Sequence, residues 1–200
     1  MRAAGALGLL LALGGGPAAA FDPKDVEQLV ATKSCYGCDL AGADLAGVSL
    51  REAHLPTVNL AGANLARADL AGVYFRSASL RDANLRGANL DDAYLERADL
   101  TGADLTGANL RNAGLVNATL SNAELRDADL SHANLTRTNL RSANLRGADL
   151  TGATLTSTVL TGTNLTDATL AGARISRTGL ASAQLCRTIL PDRSVSDAGC

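Results

Sequence analysis

Residues 83–90 read Ala-Asn-Leu-Arg-Gly-Ala-Asn-Leu, and the same five-residue pattern runs through most of the chain. From Leu40 to Leu190 every fifth residue is Leu, except at Phe75 and Ile175. The residue two places before each of these is small and usually Ala. A period of five fits neither an α-helix, with about 3.6 residues per turn, nor a flat strand, which alternates every two residues. The pattern instead predicts an extended chain that turns a corner every five residues.

Each repeat assigns its residues to an interior, an exterior and a corner. If the Leu position is i, residues i−2 and i point to one side of an extended segment. Both are apolar, so this side is predicted to be the interior, whereas residue i−1 points outward and is usually polar, as at Asp44 and Asn64. Residues i+1 and i+2 form the corner, where Gly, Asp, Asn and Ser suit a turn. A disordered low-complexity chain, the alternative, would not keep the interior positions apolar.

The stretches 83–90 and 98–105 resemble the A(D/N)LXX motif of the pentapeptide-repeat protein family, and the resemblance extends over about 150 residues. It implies an all-β fold, a right-handed four-sided β-solenoid with four pentapeptides in each coil. The expected solenoid domain is 38–190, with about 7.5 coils. An interior of stacked Leu and Ala needs few aromatic residues, and this chain has no Trp.

Residues 1–20 are predicted to form a signal peptide. Arg2 supplies the positive charge, residues 3–13 are small and apolar, and residues 18–20 (Ala-Ala-Ala) fit a cleavage site before Phe21. The apolar run is too short to span a bilayer, so we expect no membrane span after cleavage. An uncleaved N-terminal anchor is the alternative. The prediction implies export to a periplasm, a thylakoid lumen or the cell exterior.

Residues 21–37 are predicted to be an N-terminal helical cap that ends in a C-x-x-C motif. Asp22 can cap a helix that begins at Pro23, because Pro suits the first helical position. The predicted helix, Pro23–Thr32, has one apolar face made by Val26, Leu29 and Val30. This face would cover the open end of the solenoid, although a partner-binding helix is also compatible with it.

The C-x-x-C motif, Cys35 to Cys38, has three interpretations: a structural disulfide, a redox-active pair or half of a metal site. Redox pairs of this spacing usually begin a helix, whereas this pair precedes the repeats. A zinc site would need further ligands, and no second C-x-x-C or His pair follows. The sequence therefore favours a structural disulfide and predicts no metal.

Cys186 and Cys200 enclose the predicted C-terminal disulfide cap, residues 191–200. With the coil that the resemblance implies, the two chain ends lie about 36 Å apart at a coil spacing of about 4.8 Å. Disulfides, if formed, would then join Cys35 to Cys38 and Cys186 to Cys200. Both ends also resemble an exported subgroup of the family with a T-x-x-C-x-x-C-(D/N)-L opening and a closing C-x-T-x-x-P-D-G segment, from which Arg193 departs.

With four repeats in each coil, residues twenty apart stack, and one outward column contains His54, Tyr74 and Tyr94. These rings could form a recognition patch for a protein or a sugar. The interpretation that the sequence favours is a stack that only stabilises the first coils. A second outward column, Asp44, Asn64, Asn84, Asp104, Glu124, Asn144, Asn164 and Gln184, is predicted to form a hydrogen-bonded ladder.

Charge and spacing argue against several classes of function. The formal net charge is −2, which is no basic footprint for nucleic acid. The two histidines, His54 and His132, are separated by about four predicted coils, so they cannot act together in catalysis. We therefore expect no enzymatic activity, no cofactor and no nucleic-acid partner.

The sequence best fits a non-enzymatic exported scaffold that binds an unknown protein, as a monomer or a side-by-side dimer. One alternative is a cytosolic DNA mimic that binds a topoisomerase, which some family members resemble. Another is thiol–disulfide exchange at Cys35 and Cys38. Recognition of ice or carbohydrate is weakly supported, because Thr154 and Thr156 form the only T-x-T pair in which both residues are predicted to point outward.

Overall fold

The computed structural model describes residues 23–175 and 177–200. It contains helix α1 (Pro23–Thr32), helix α2 (Arg177–Leu180), strand β1 (Leu185–Ile189) and strand β2 (Val195–Ala198). Between the helices the chain forms parallel single-residue β-bridges, and each bridge joins residues twenty apart. One turn of this β-solenoid therefore contains four pentapeptides. The predicted signal peptide, residues 1–20, lies outside the described residues.

Backbone hydrogen bonds join neighbouring coils at three points in each pentapeptide. The residues at i−1, i and i+2 donate their amides to carbonyl oxygens of adjacent coils. In one repeat these bonds run from Asn84 N to Ala63 O (2.9 Å), from Leu85 N to Asp104 O (2.7 Å) and from Gly87 N to Thr106 O (3.0 Å). A fourth bond, from Ala88 N to Leu85 O at 3.0 Å, closes the corner. The repeat thereby satisfies backbone groups that would otherwise be buried without partners.

The predicted interior is confirmed. Leu105 and Ala103, which occupy the i and i−2 positions of one repeat, are both fully buried, and Phe75 is buried in the same stack. Each buried Leu contributes roughly 1.5–3 kcal/mol of gross hydrophobic stabilisation. Stability therefore accumulates along the stack, coil by coil.

Four inward threonines show how the interior accommodates a polar group. Each hydroxyl donates a hydrogen bond to the carbonyl oxygen of a Leu in the coil below. The donors and acceptors are Thr138 to Leu115 (2.7 Å), Thr158 to Leu135 (2.6 Å), Thr163 to Leu140 (2.8 Å) and Thr188 to Leu165 (2.7 Å). These bonds offset the cost of burying the hydroxyls.

The corners use a left-handed backbone at position i+2. Gly102 has a φ of 71°, a conformation that glycine adopts without strain. Non-glycine residues also adopt it, for example Glu52 with a φ of 55° and Asp82 with a φ of 54°. The composition of the corners reflects this backbone requirement, as the sequence predicts.

Helix α1 has the predicted bounds and lies against the first coil. Leu29 is fully buried, and Val26 packs against the core. Asp25 Oδ2 accepts a hydrogen bond of 3.0 Å from Asp39 N, which fastens the helix to the first repeat. The proposed N-cap, Asp22, lies outside the described residues. In the described part of the chain, no helix is long and apolar enough to cross a membrane.

The last coil departs from the regular pattern in a way the sequence did not predict. Helix α2 (Arg177–Leu180) takes the place of the extended segment of one pentapeptide. Strand β1 then pairs with β2 as an antiparallel hairpin, and the pairing is irregular between Leu185 and Thr188. The five-residue period places the next corner at this irregularity, but the chain stays extended there. It reverses direction only at residues 190–194.

Candidate functional site

The side chains of His54, Tyr74 and Tyr94 form a stack on one outer side of the solenoid, which we call the ring column. The rings of Tyr74 and Tyr94 are parallel to within 13°, with centroids 4.3 Å apart. The His54 ring is tilted by 44° and its centroid lies 5.4 Å from that of Tyr74. Tyr74 is 41% exposed and Tyr94 is 42% exposed. The column is therefore a stack and, at the same time, an aromatic surface open to solvent.

A groove rich in carboxylates flanks the ring column on one side. It has a volume of about 500 Å³ and is lined by Tyr74, Tyr94, Ala71 and Gly72 and by the charged residues Arg51, Glu52, Asp91 and Asp92. The guanidinium of Arg51 lies 3.3 Å from the Asp69 carboxylate. Because Arg51 is paired with Asp69, it does little to neutralise the other carboxylates of the groove.

A second groove, of about 630 Å³, lies on the other side of the rings. Its charged residues are Arg76, Glu96 and Arg97, and Pro56 and Val116 add apolar surface. Two positive charges and one negative charge give it the opposite sign to the first groove. The ring column thus divides an acidic groove from a basic one.

The phenol of Tyr94 is held in the neutral form. The pKa of Tyr94 is raised above its ordinary value, chiefly by a hydrogen bond with the Tyr74 hydroxyl and by the charge of that group. Desolvation and the carboxylates of Asp92 and Glu96 raise it further. Tyr94 therefore presents a neutral hydroxyl that can donate and accept hydrogen bonds at physiological pH.

In the second outward column, which we call the carboxamide column, the side chains form hydrogen bonds with one another. Asn64 Nδ2 donates to Asp44 Oδ1 at 2.8 Å, and Asn84 Nδ2 donates to Asn64 Oδ1 at 3.0 Å. Asn84 Oδ1 also accepts from Arg86 N at 3.2 Å. Internal partners thus use much of this column's hydrogen-bonding capacity.

The arginines on this side form ion pairs with neighbouring acids. Arg86 pairs with Asp104 at 2.9 Å, Arg126 with Glu124 at 3.3 Å and Arg146 with Asp167 at 3.3 Å. Each pair is substantially exposed, so each stabilises the fold by at most about 1 kcal/mol. The charges of these three arginines are therefore compensated by neighbouring carboxylates.

The cysteines are joined in two pairs, one at each end of the solenoid. Cys35 is bonded to Cys38, with Cα atoms 5.6 Å apart, and Cys186 is bonded to Cys200, with Cα atoms 4.7 Å apart. Asp25 lies close enough to Cys35 and Cys38 for the three side chains to offer ligand atoms within 4.8 Å of one another. Bonded sulfurs are not thiolates, however, and thiolates are what metals bind. The first pair is also buried, which restricts access to it for thiol exchange.

Three features of the surface were missed by sequence reasoning. Tyr36 is 78% exposed and lies outside the ring column. Its corner position, just after Cys35, was the available signal. Glu96 and Gly114 adjoin the ring column and were not singled out. A glycine at an outward position, where most other repeats carry a polar side chain, could have marked Gly114.

A model of pentapeptide repeats matches most of this chain. The matched residues are 34–70, 57–92, 78–113, 88–127, 113–152, 123–162 and 153–190. The chain belongs to the pentapeptide repeat family. The cysteine-containing caps at both ends agree with the exported subgroup that its sequence resembles.

Several solved pentapeptide repeat structures are similar to this chain. HetL, a protein involved in heterocyst differentiation regulation from the cyanobacterium Nostoc, is 31% identical over 86% of this chain and 97% of its own length, with a TM-score of 0.33. A thylakoid-lumen protein from Arabidopsis thaliana is 29% identical over 83% of this chain and 90% of its own, with a TM-score of 0.22. Among curated proteins, none matches significantly.

QnrB1, a plasmid-mediated fluoroquinolone resistance protein, is 20% identical over 83% of this chain and 92% of its own, with a TM-score of 0.50. At this identity the likeness shows the β-solenoid fold alone. Neither the family description nor these three structures describes an enzyme. The comparisons thus show a pentapeptide repeat protein and indicate no enzymatic family.

Proposed function

We propose that this pentapeptide repeat protein is an exported, non-enzymatic scaffold that binds a protein partner through its ring column. The observation that carries the proposal is the exposed stack of Tyr74 and Tyr94 between two grooves of opposite charge. Tyrosine and arginine are the residue types that protein interfaces concentrate at their energetic centres. The carboxamide column, on the opposite side of the coils, by contrast uses its polar groups internally.

The proposal assumes the right-handed four-sided form of the solenoid, with about 7.5 coils. A rod of this kind holds the rings rigidly, so binding orders few side chains and costs little conformational entropy. The proposal applies equally to a monomer and to a side-by-side dimer. A protein is favoured over a nucleic acid as partner because the chain has a net negative charge.

Export is supported by the two disulfide pairs, since such bonds persist in oxidising compartments. The predicted compartment is a periplasm, a thylakoid lumen or the cell exterior. Intact mass of the natively produced protein tests this prediction. We expect a chain that begins at Phe21 and lacks four thiol hydrogens. A full-length chain with four free thiols would contradict export and reopen the cytosolic alternatives.

Site-specific photo-crosslinking tests the ring column itself. Benzoylphenylalanine at Asn117, which lines the basic groove, should capture a protein partner in the producing cells. The matched control is Asn122, a corner residue of the same coil with the same φ of 59° that lines neither groove. We expect crosslinks from position 117 only, and their loss in a Tyr74→Ala/Tyr94→Ala protein. Equal capture from both positions, or capture that survives the double substitution, would refute the proposal.

A further inference from the structure

The ring column ends at Tyr94 because the next residue in the column has no side chain. Tyr94 is bridged to Gly114 in the coil above, and Gly114 is bridged to Asn134 one coil higher. Gly114 is not among the residues with positive φ, so its backbone does not require glycine. The effect of this glycine is to leave a gap above the Tyr94 ring.

The gap has the height of one flat group. Two coil spacings separate Tyr94 from Asn134, which is about 10 Å. The Tyr74 and Tyr94 rings stack with centroids 4.3 Å apart, so the coil spacing leaves height above Tyr94 for one more planar group, beside which the flexible Glu96 carboxylate now lies. Asn134 Oδ1 accepts hydrogen bonds from Thr136 N at 3.2 Å and from Thr136 Oγ1 at 2.7 Å. These bonds hold the Asn134 side chain at its own corner.

Glu96 brings a negative charge to this gap. Its Oε1 lies 2.9 Å from the point that a Cβ on Gly114 would occupy. Arg76 stacks one coil below Glu96 in the basic groove, and Arg97 follows it in sequence. Within the residues that the structure describes, Glu96 forms an ion pair with neither. Its carboxylate is therefore available to a cation that enters the gap.

We propose that the gap above Tyr94 receives an arginine side chain of the protein partner. This inference rests on the proposed function, because it names the residue type that the ring column would recognise. A guanidinium is planar and stacks on an aromatic face, which attracts its charge. It also donates paired hydrogen bonds to a carboxylate such as Glu96. Lysine shares the charge but not the plane, and tryptophan shares the plane but not the charge.

The residues around the gap also indicate what flanks that arginine. Arg76 and Arg97 line the same groove and carry positive charges. Once Glu96 is paired with the incoming guanidinium, these two arginines favour acidic neighbours in the partner. The expected recognition element is therefore a single arginine between acidic residues.

The binding of short peptides to the mature, disulfide-bonded protein tests this recognition element. The probes are acetyl-Asp-X-Asp-amide peptides with X as Arg, Lys, Trp or Gly, titrated against ¹⁵N-labelled protein. We expect the Arg peptide to shift the amide resonances of Tyr94, Glu96 and Gly114. The other three peptides should bind about fivefold or more weakly. Equal binding of the Lys or Trp peptide would overturn the proposal.

Two variants and a control locate the binding. Gly114→Tyr fills the gap with another ring, and its Cβ meets only the flexible end of Glu96 at close range, so the fold should survive and peptide binding should be lost. Glu96→Gln keeps the shape and should weaken binding about tenfold. Thr119→Tyr adds a ring at the next outward position of the same coil and should change nothing. Undiminished binding to Gly114→Tyr would overturn the proposal.

The two proposals fail in distinguishable ways. If the Arg peptide does not bind and the tyrosine-dependent crosslink from position 117 persists, the arginine inference is wrong and the scaffold function stands. If the crosslink is also absent, the proposed function is wrong as well. Circular dichroism of each variant establishes that a loss of binding is not a loss of folding.

Discussion

The ring column and the carboxamide column occupy equivalent outward positions of the pentapeptide, on opposite sides of the same coils. In the carboxamide column Asn84 donates to Asn64 and Asn64 donates to Asp44, so the ladder is bonded from coil to coil. In the ring column Tyr74 and Tyr94 touch through their faces, and the upper face of Tyr94 has no ring above it. The comparison shows that the outward side chains, and not the backbone, decide what one side of the solenoid can do. Its side chains either bond to one another or remain available to a partner.

The largest expected effect tests the inward–outward division on which the comparison depends. Leu105→Asp would place a carboxylate without a partner among fully buried side chains, which is unfavourable. We expect a loss of cooperative folding, equivalent to more than about 4 kcal/mol, in thermal unfolding followed by circular dichroism.

The matched control for that substitution is Asn139→Asp, at an outward position where the side-chain oxygen already accepts from Arg141 N at 3.0 Å. An aspartate can keep this bond, so the control should unfold at nearly the wild-type temperature. A cooperative, thermally unchanged Leu105→Asp protein would show that the inward assignment is wrong.

A second prediction compares the two columns directly. Asn84→Ala removes the bond to Asn64 Oδ1 and the bond from Arg86 N, which should cost about 1–3 kcal/mol. Tyr94→Ala removes one stacked, partly exposed ring, which should cost about 0.5–1.5 kcal/mol. Urea unfolding of both variants measures the difference. A larger loss in the Tyr94 variant would mean that the ring column is chiefly structural.

The smallest expected effect is a loss of folding stability at low pH that arises from Asp104, a residue of the carboxamide column. Partial burial raises the pKa of Asp104, but hydrogen bonds from the Thr106 hydroxyl and amide and from Arg86 outweigh it, so the pKa lies below its ordinary value. A carboxyl whose pKa is lower in the folded state stabilises the fold above its unfolded-state pKa. That stabilisation is lost as the pH falls through the folded-state pKa.

Urea midpoints at pH 7 and at about pH 3 check this prediction, since the ordinary pKa of Asp is about 3.9. The wild-type protein should lose more stability on acidification than Asp104→Asn does. Tyr94→Ala should show the wild-type acid dependence, because it leaves the Asp104 contacts in place. An equal acid dependence of wild type and Asp104→Asn would contradict the account.

Sequence reasoning reached the candidate site only in part. It identified His54, Tyr74 and Tyr94 as one column because residues twenty apart must stack in a four-repeat coil. It did not identify Glu96, since a glutamate at a corner looks like any solvated charge. It also passed over the C-terminal hairpin, because pairing of β1 with β2 depends on a chain reversal that the five-residue period does not encode.

By itself, the sequence determined the alternation of interior and exterior residues, the corner positions and the bounds of helix α1. These follow from local rules, because residues two apart in an extended segment share a side and corners need particular backbone angles. Only the tertiary structure decided that Glu96 turns toward Gly114 and that Arg86 pairs with Asp104. The conformation of a long side chain depends on its neighbours in adjacent coils, and these lie about twenty residues away in the sequence.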